Sequence, residues 1–290
     1  MNKFLLTDDM LSNPLNIGGQ TSNLYRLTDG SLLKVFKDDY LDLAASRGVS
    51  LEKKILDSEF LTSSYRVNLP TGAYYKKDGK FTAYTINEVA GNNLHSYMMG
   101  LTSDEKLDLN IHALIYSSLE SVIRNNSTVV FPDMCTRENF IINNDFDITA
   151  IDFDGLQFGN NHVLGMSNML GNYAQYDNLK HMTDDGFFTK NLDKKSLIYL
   201  YFLNTFHIKL TAVDYVNDPN EKIKLLCQIF MAIGLDDHSI VDKVWKVYSN
   251  ESDNEYLGDD VFRLADRYKL VSTSDILSDE GIPIHYLVKK

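Results

Sequence analysis

The feature that most limits the fold of this chain is a change in apolar periodicity partway along it. Up to Ile86 the apolar residues fall in short, strand-like runs, whereas from Thr102 onward they recur at helical spacing. Such a chain is neither one sheet nor one helical bundle, and the pattern predicts an α+β protein with a small sheet-rich part followed by a larger helical part. At 290 residues and 44% hydrophobic, it has the material for a substantial core.

In the first part, NLYRLT and SLLKVFK flank Asp29-Gly30, and AYYK and FTAYTI flank Lys77-Asp78-Gly79-Lys80. Two hairpins are expected, the first closed by a two-residue type I′ turn, because an Asp-Gly pair tolerates the positive φ that such turns need. Between them Leu51, Ile55, Leu56 and Phe60 stand at helical spacing, predicting one amphipathic helix over Leu41 to Leu61. The expected order is strand, strand, strand, helix, strand, strand, ending at a linker near Gly91-Asn92-Asn93.

In the second part, Thr102 and Glu105 have capping-box spacing, and Leu107, Ile111, Leu114, Ile115, Val122 and Ile123 form a stripe running to Arg124, so one long helix is expected there. FII and ITAIDF then read as short strands around the Asn143-Asn144-Asp145 turn. About 35 irregular residues, Leu156 to Lys190, follow them, a length that is usually functional or mobile. Leu192 to Leu210 is apolar nearly all round, which predicts a helix buried on several sides, with Tyr199, Tyr201, Phe202 and Phe206 in the core. Further helices are expected over Glu221 to Ile233, Ser239 to Tyr248 and Asp259 to Tyr268.

Composition excludes several function classes. With 28 Lys+Arg against 40 Asp+Glu, the net charge of −12 opposes sequence-independent binding to a phosphate backbone, so no nucleic-acid partner is expected. SLIYLYFLNTF is well short of the roughly 20 apolar residues of a membrane span, and MNKFLLTDDM has no long apolar run, so the expectation is a cytoplasmic protein with no membrane partner. Cys135 and Cys227 cannot build a disulfide framework. The seven histidines show no His-x-x-x-His pairing, and no Gly-x-Ser-x-Gly occurs, which argues against zinc catalysis and serine hydrolysis.

The chemistry concentrates in FPDMCTRENFIINNDFDITAIDFDG. Asp133, Asn139 and Asp152 supply what Mg-dependent phosphoryl transfer needs, hard oxygen ligands for the metal and a carboxylate to orient the attacking hydroxyl. The competing reading is ordinary turn chemistry, which Asn and Asp also favour. Asp154 would face the same side as Asp152 if the segment is a strand, making it a candidate further ligand. Lys34 shares the apolar face of Leu32 and Phe36, where an ammonium needs an anionic partner, and Glu52 in LEKKIL is the natural candidate. Gly18-Gly19 could bring backbone N–H groups to phosphates or serve as a plain turn.

Taken in this order, from Leu15 to Gly155, these parts resemble the protein kinase-like superfamily, in particular its bacterial, eukaryotic-like Ser/Thr kinase branch. The Lys34 to Glu52 separation matches that family, and FTKNLDKKSLIYLYFLNTF is similar to its central buried helix, whose opening aspartate, here Asp193, would anchor the catalytic-loop backbone. The resemblance implies a two-lobed fold. Residues 1–91 would be an N-lobe, a small antiparallel sheet with one helix, and residues 92–290 a larger, mostly helical C-lobe. It implies ATP and Mg²⁺ as cofactors, with Asp133 orienting the substrate hydroxyl and Asn139 and Asp152 holding the metal. Lys34 would reach the α- and β-phosphates with Glu52 fixing it, Arg137 would serve the γ-phosphate, and Gly18 and Gly19 would lie over the phosphates. The backbone at Asn87 and Val89 would bind adenine, with Ile86 behind the base.

The implied substrate is a Ser or Thr hydroxyl of a protein. A pseudokinase scaffold gated by nucleotide, or a small-molecule kinase of the aminoglycoside or choline phosphotransferase type, would use the same fold. The chain also departs from the family pattern. Phe131-Pro132-Asp133 replaces His-Arg-Asp, which removes the arginine that pairs with a phosphorylated loop. The spacing from Asp133 to Asn139 is one residue longer than usual, Ser22 replaces a loop glycine, Asp154 displaces Gly155, and no Ala-Pro-Glu follows.

Overall fold

Asp29-Gly30 and Asp78-Gly79 do sit at hairpin tips, each in a three-residue loop, which for the first is one residue longer than the two-residue turn expected. The first loop closes on Leu27 and Ser31, whose N–H and C=O groups bond at 2.9 Å, and Gly30 N–H donates back to the Leu27 carbonyl at 3.0 Å. Gly30 alone has positive φ (84°) and Asp29 does not, so the turn is not type I′. Asp29 Oδ1 accepts from the Ser31 N–H and hydroxyl, and Asp78 Oδ1 accepts from Lys80 N–H, so each aspartate supports its own loop.

This computed structural model describes residues 1–15, 19, 21–61, 65–163, 183–184, 187–249, 255–278 and 281–290. Six strands form the first sheet: β1 (Asn2–Leu5), β2 (Pro14–Leu15), β3 (Ser22–Arg26), β4 (Leu32–Phe36), β5 (Pro70–Tyr75) and β6 (Phe81–Ile86), in the order β1-β5-β6-β4-β3-β2. β1 runs parallel to β5 and the other pairs are antiparallel, so the sheet is mixed rather than wholly antiparallel as expected. Alternation along β4 divides its residues between two faces. Leu33 packs with Tyr74 and Ala83 beneath the N-terminal segment, while Phe36 joins Tyr84 and Ile86 in the main core.

The single helix expected over Leu41 to Leu61 is two, α1 (Asp38–Ser46) and α2 (Leu51–Asp57). Gly48, with φ 71°, breaks it, and Val49 N–H turns back to the Ala44 carbonyl. Beyond β6 the chain passes Gly91 into β7 (Asn92–Asn93), which pairs with β9 (Phe140–Ile142), itself paired with β10 (Ile148–Ala150). Gly91 has φ 139°, and a Cβ there would stand 2.4 Å from the Ile142 carbonyl oxygen, so no other residue fits this crossing.

Helix α3 (Leu94–Gly100), which periodicity did not indicate, comes next. The Thr102–Glu105 capping box is present, but it caps the one-turn α4 (Ser103–Lys106); the long helix α5 (Leu109–Asn125) starts afresh from an Asp108 cap. Of the segment from Leu156 to Lys190, residues 164–182 and 185–186 lie outside the described residues. Within it β11 (Gln157–Phe158) pairs with β8 (Val129–Val130), and β12 (Thr183–Asp184) pairs with β13 (Phe187–Phe188).

Helix α6 (Lys190–Phe206) is buried continuously from Leu192 to Phe202, as its all-round apolar character requires. α7 (Pro219–Ala232) and α8 (His238–Ser249) follow. The helix expected over Asp259 to Tyr268 is only the short α9 (Gly258–Phe262) and a 3₁₀ turn, after which β14 (Tyr268–Leu277) and β15 (Pro283–Lys289) form a terminal hairpin. Tyr268, Leu270 and Leu287 bury its inner face. Among the described residues no helix is long and apolar enough to cross a membrane.

The terminal hairpin meets α5 and the end of α6 at three histidines. His112 Nε2–H donates to the Lys106 carbonyl, which leaves its Nδ1 to accept the Thr205 hydroxyl at 3.0 Å. His285 Nδ1–H donates to the Thr205 carbonyl at 2.9 Å, and the His207 and His285 rings lie 4.2 Å apart. Burial lowers the pKa of all three, and the neighbouring imidazoles help push His207 down to about 4. Because these folded values lie below the unfolded one, the unfolded chain binds more protons in between. Stability is therefore expected to be intact at neutral pH and to fall as pH drops from about 6.5 towards 4. Urea unfolding across that range should show the midpoint falling, and less steeply in His285→Gln.

Candidate functional site

The loop between β8 and β9 carries Asp133 through three overlapping turns. Met134, Thr136 and Asn139 N–H groups each bond, at 3.0 Å, the carbonyl three residues earlier. The extra residue between Asp133 and Asn139 is absorbed in these turns, and Thr136 supplies a hydroxyl to Asp133 Oδ1 at 2.7 Å. Asn139 Nδ2 still reaches Asp133 Oδ2 at 3.0 Å. Burial raises the Asp133 pKa, and the bonds from Thr136 and Asn139 oppose that rise.

Two buried anchors hold the loop. Phe131 N–H donates to Asp193 Oδ1 at 2.7 Å, and Lys190 Nζ donates to Asp193 Oδ2 at 2.6 Å, so the aspartate that opens α6 fixes the loop backbone. On the other side, Ile151 N–H donates to the Asn139 carbonyl at 2.9 Å, which ties Asn139 to the residue before Asp152. Asp133, Asn139 and Asp152 consequently line one pocket, with Phe131, Met134 and Gly155 among its walls.

Asp152 precedes a 3₁₀ turn (Phe153–Gly155) and Asp154 lies within it, so neither is in a strand. They nevertheless converge on one cation. Lys34 Nζ lies 2.5 Å from Asp152 Oδ1 and 2.5 Å from Asp154 Oδ1, and the Tyr84 hydroxyl donates to Asp154 Oδ1 at 2.7 Å. Burial alone would lower the Lys34 pKa, but the two carboxylates hold it well above the ordinary lysine value. Burial and the neighbouring Asp154 raise Asp152, whereas Lys34 and the Tyr84 hydroxyl overcome burial and hold Asp154 below the usual range.

Glu52 does not join this group. It accepts from the Tyr75 hydroxyl at 2.8 Å and lies 3.7 Å from Lys3, on a different side of α2 from the site. The residue of α2 that does face inward is Lys54, fully buried, whose Nζ donates to the Asp154 carbonyl at 2.6 Å and whose pKa burial pushes down to about 8. Helical spacing carried that signal, since Leu51, Lys54, Ile55 and Ser58 form the buried stripe and Glu52 lies off it.

Arg137 also departs from its expected place. Its guanidinium bonds Asn204 Oδ1 of α6 at 3.0 Å and touches Met98 Sδ of α3, so it braces the loop from outside instead of lining the pocket. Gly18 lies outside the described residues, and the Gly19 carbonyl accepts from Lys37. Asn87 and Val89 follow β6, the former exposed and the latter half-buried, and the Asn87 carbonyl accepts the Asn68 side chain at 2.8 Å.

Among the described residues no three His, Cys, Asp or Glu side chains form a metal cluster, and the pair to test for a cation is Asp152 with Asn139. That pair fits a hard cation such as Mg²⁺. Asn139 donates its Nδ2–H to Asp133 and turns its amide oxygen to metal ligation, and a Cβ at residue 155 would come within 2.7 Å of Asp152 Oδ2, so glycine keeps that oxygen uncovered. No protein-family model matches the chain, and no curated protein matches it.

Removing Asp193 leaves the Phe131 N–H without its buried acceptor and takes from the Lys190 ammonium its carboxylate partner, leaving it the Val129 carbonyl. Asp193→Ala is expected to cost roughly 3 kcal/mol, visible as a lower urea midpoint. The β8–β9 loop amides should also lose protection in hydrogen exchange, while those of β5 and β6 keep theirs.

Proposed function

We propose that the chain is an ATP- and Mg²⁺-dependent phosphotransferase of two-lobed, protein kinase-like fold that phosphorylates Ser or Thr hydroxyls of a protein. The observation that carries this reading is the meeting of Asp133, Asn139 and Asp152 in one pocket, with Lys34 held against Asp152. Asn139 Oδ1 and the Asp152 carboxylate would hold Mg²⁺, which when bound neutralises phosphate charge.

The remaining work falls to the protein's own groups. Asp133 stands where a carboxylate orients a hydroxyl and accepts its proton, and the bonds from Thr136 and Asn139 fix its rotamer. Lys34, already desolvated, presents an ammonium to phosphate oxygens next to the metal ligand, where low dielectric strengthens the attraction. Asp193 keeps the loop in register from beneath. Such a site works by positioning and electrostatics, with no covalent step on the protein.

A thermal-shift titration tests nucleotide binding directly. Mg·ATP at 100 times its dissociation constant should stabilise the protein by about 2.7 kcal/mol. Radiolabelled ATP should report phosphate transfer or hydrolysis, and Asp133→Asn should lower that rate by about 10² to 10⁴ while leaving the thermal shift in place. Absence of both shift and turnover would sink the proposal, and a shift without turnover would point to a nucleotide-gated scaffold.

A further inference from the structure

Lys34 needs a fixed partner if it is to meet phosphates, and the helix expected to supply one does not. Glu52 of α2 is occupied by Tyr75 and Lys3, and α2 turns a lysine inward instead. Both carboxylates on Lys34 come from the turn after β10, and they differ in one respect. The Asp152 side chain is 28% exposed and borders the pocket, whereas the Asp154 side chain is 3% exposed and takes no part in its lining.

The difference divides the work between them. Asp152 has an open side for a cation or a phosphate. Asp154 has none, and its Oδ1 is shared by Lys34 Nζ and the Tyr84 hydroxyl. Tyr84 is fully buried on β6 directly opposite Lys34 in the sheet register, so the strand that neighbours the lysine also orients its anion. Lys54 Nζ holds the Asp154 main-chain carbonyl, which couples α2 to the same turn through the backbone. Gly155 follows, where a side chain would strike Asp152.

From this geometry we infer that Asp154 is the positioning residue for Lys34, with Tyr84 and Lys54 fixing Asp154 in turn. The inference rests on the phosphotransferase reading for its purpose. It assigns to the 152–155 turn the task that a helix glutamate was expected to perform, and it takes Asp154 out of the metal's ligand set. The phosphate-binding lysine is then set without any movement of α2.

The test uses the full-length chain and three variants, Asp154→Asn, Tyr84→Phe and Glu52→Gln. Asp154→Asn keeps the shape and the acceptor for Tyr84 but removes the charge. Lysine acylation by an N-hydroxysuccinimide ester, mapped by mass spectrometry, reads Lys34 without nucleotide, with buried Lys195 on α6 as an internal reference. Lys34 should be protected in the unsubstituted chain and in Glu52→Gln, and should become reactive in Asp154→Asn while Lys195 stays protected. Affinity for a fluorescent ATP analogue with Mg²⁺ should weaken at least about tenfold in Asp154→Asn, the size of one lost charge-assisted hydrogen bond, and stay within about twofold in Glu52→Gln.

If Asp154→Asn does not fold, Tyr84→Phe decides, with partial Lys34 reactivity expected. Unchanged protection of Lys34 in the folded variant, or an effect of Glu52→Gln as large as that of Asp154→Asn, overturns the assignment. Lys34 exposure in Asp154→Asn from a chain that never binds the analogue would uphold the positioning and refute the phosphotransferase reading.

Discussion

The ammonium of Lys34 joins the six-stranded sheet to the turn after β10, and most of the site follows from that junction. Asp152 and Asp154 both approach one point, and without a cation between them their charges would repel in a region with little water. Lys34 satisfies both, and is itself tolerable on a buried strand face only because they are there. From Asp152 the order passes through Ile151 to Asn139, from Asn139 to Asp133, and from the Asp133 loop to Asp193 on α6. The bonds at the two ends of this path, Lys34 to Asp152 and Phe131 to Asp193, join residues 118 and 62 positions apart, so the pocket exists only when the sheet and the helices are both assembled.

How much of this was legible depended on whether a residue's role was written in its local spacing. Lys34 stood out because period-2 alternation placed it among Leu32 and Phe36, and its need for an anion followed from burial. Which anion it meets was not local, since Asp154 lies 120 positions away. In α2 the buried stripe of Leu51, Ile55 and Ser58 takes in Lys54 and leaves Glu52 outside it. The Asp-Gly tips were recognisable as turns, but the side-chain bonds of Asp29 and Asp78 select a loop one residue longer than the shortest possibility.

Other elements were hidden for a different reason. β14, YKLVSTSDIL, mixes Lys, Ser, Thr and Asp into a short apolar alternation and follows directly on a helical turn, so its pairing with β15 is visible only once Leu287 and Tyr268 close over the core. The extra residue between Asp133 and Asn139 does not pull the two side chains apart. Chained turns took up the length instead, and Thr136 and Arg137 became supports, the first for the carboxylate and the second for the loop's contact with α3 and α6.

Gly91 adds a mechanical consequence. Where the chain leaves the sheet it is pressed onto the Ile142 carbonyl, Asn92 and Asn93 pair with β9, and the Asn93 side chain donates to the Glu138 carbonyl at 2.8 Å. The strand so engaged begins immediately after Asn139. The crossing is therefore riveted to the segment that carries the proposed metal ligand. A displacement between the sheet and the helices would thus strain bonds that also set Asn139.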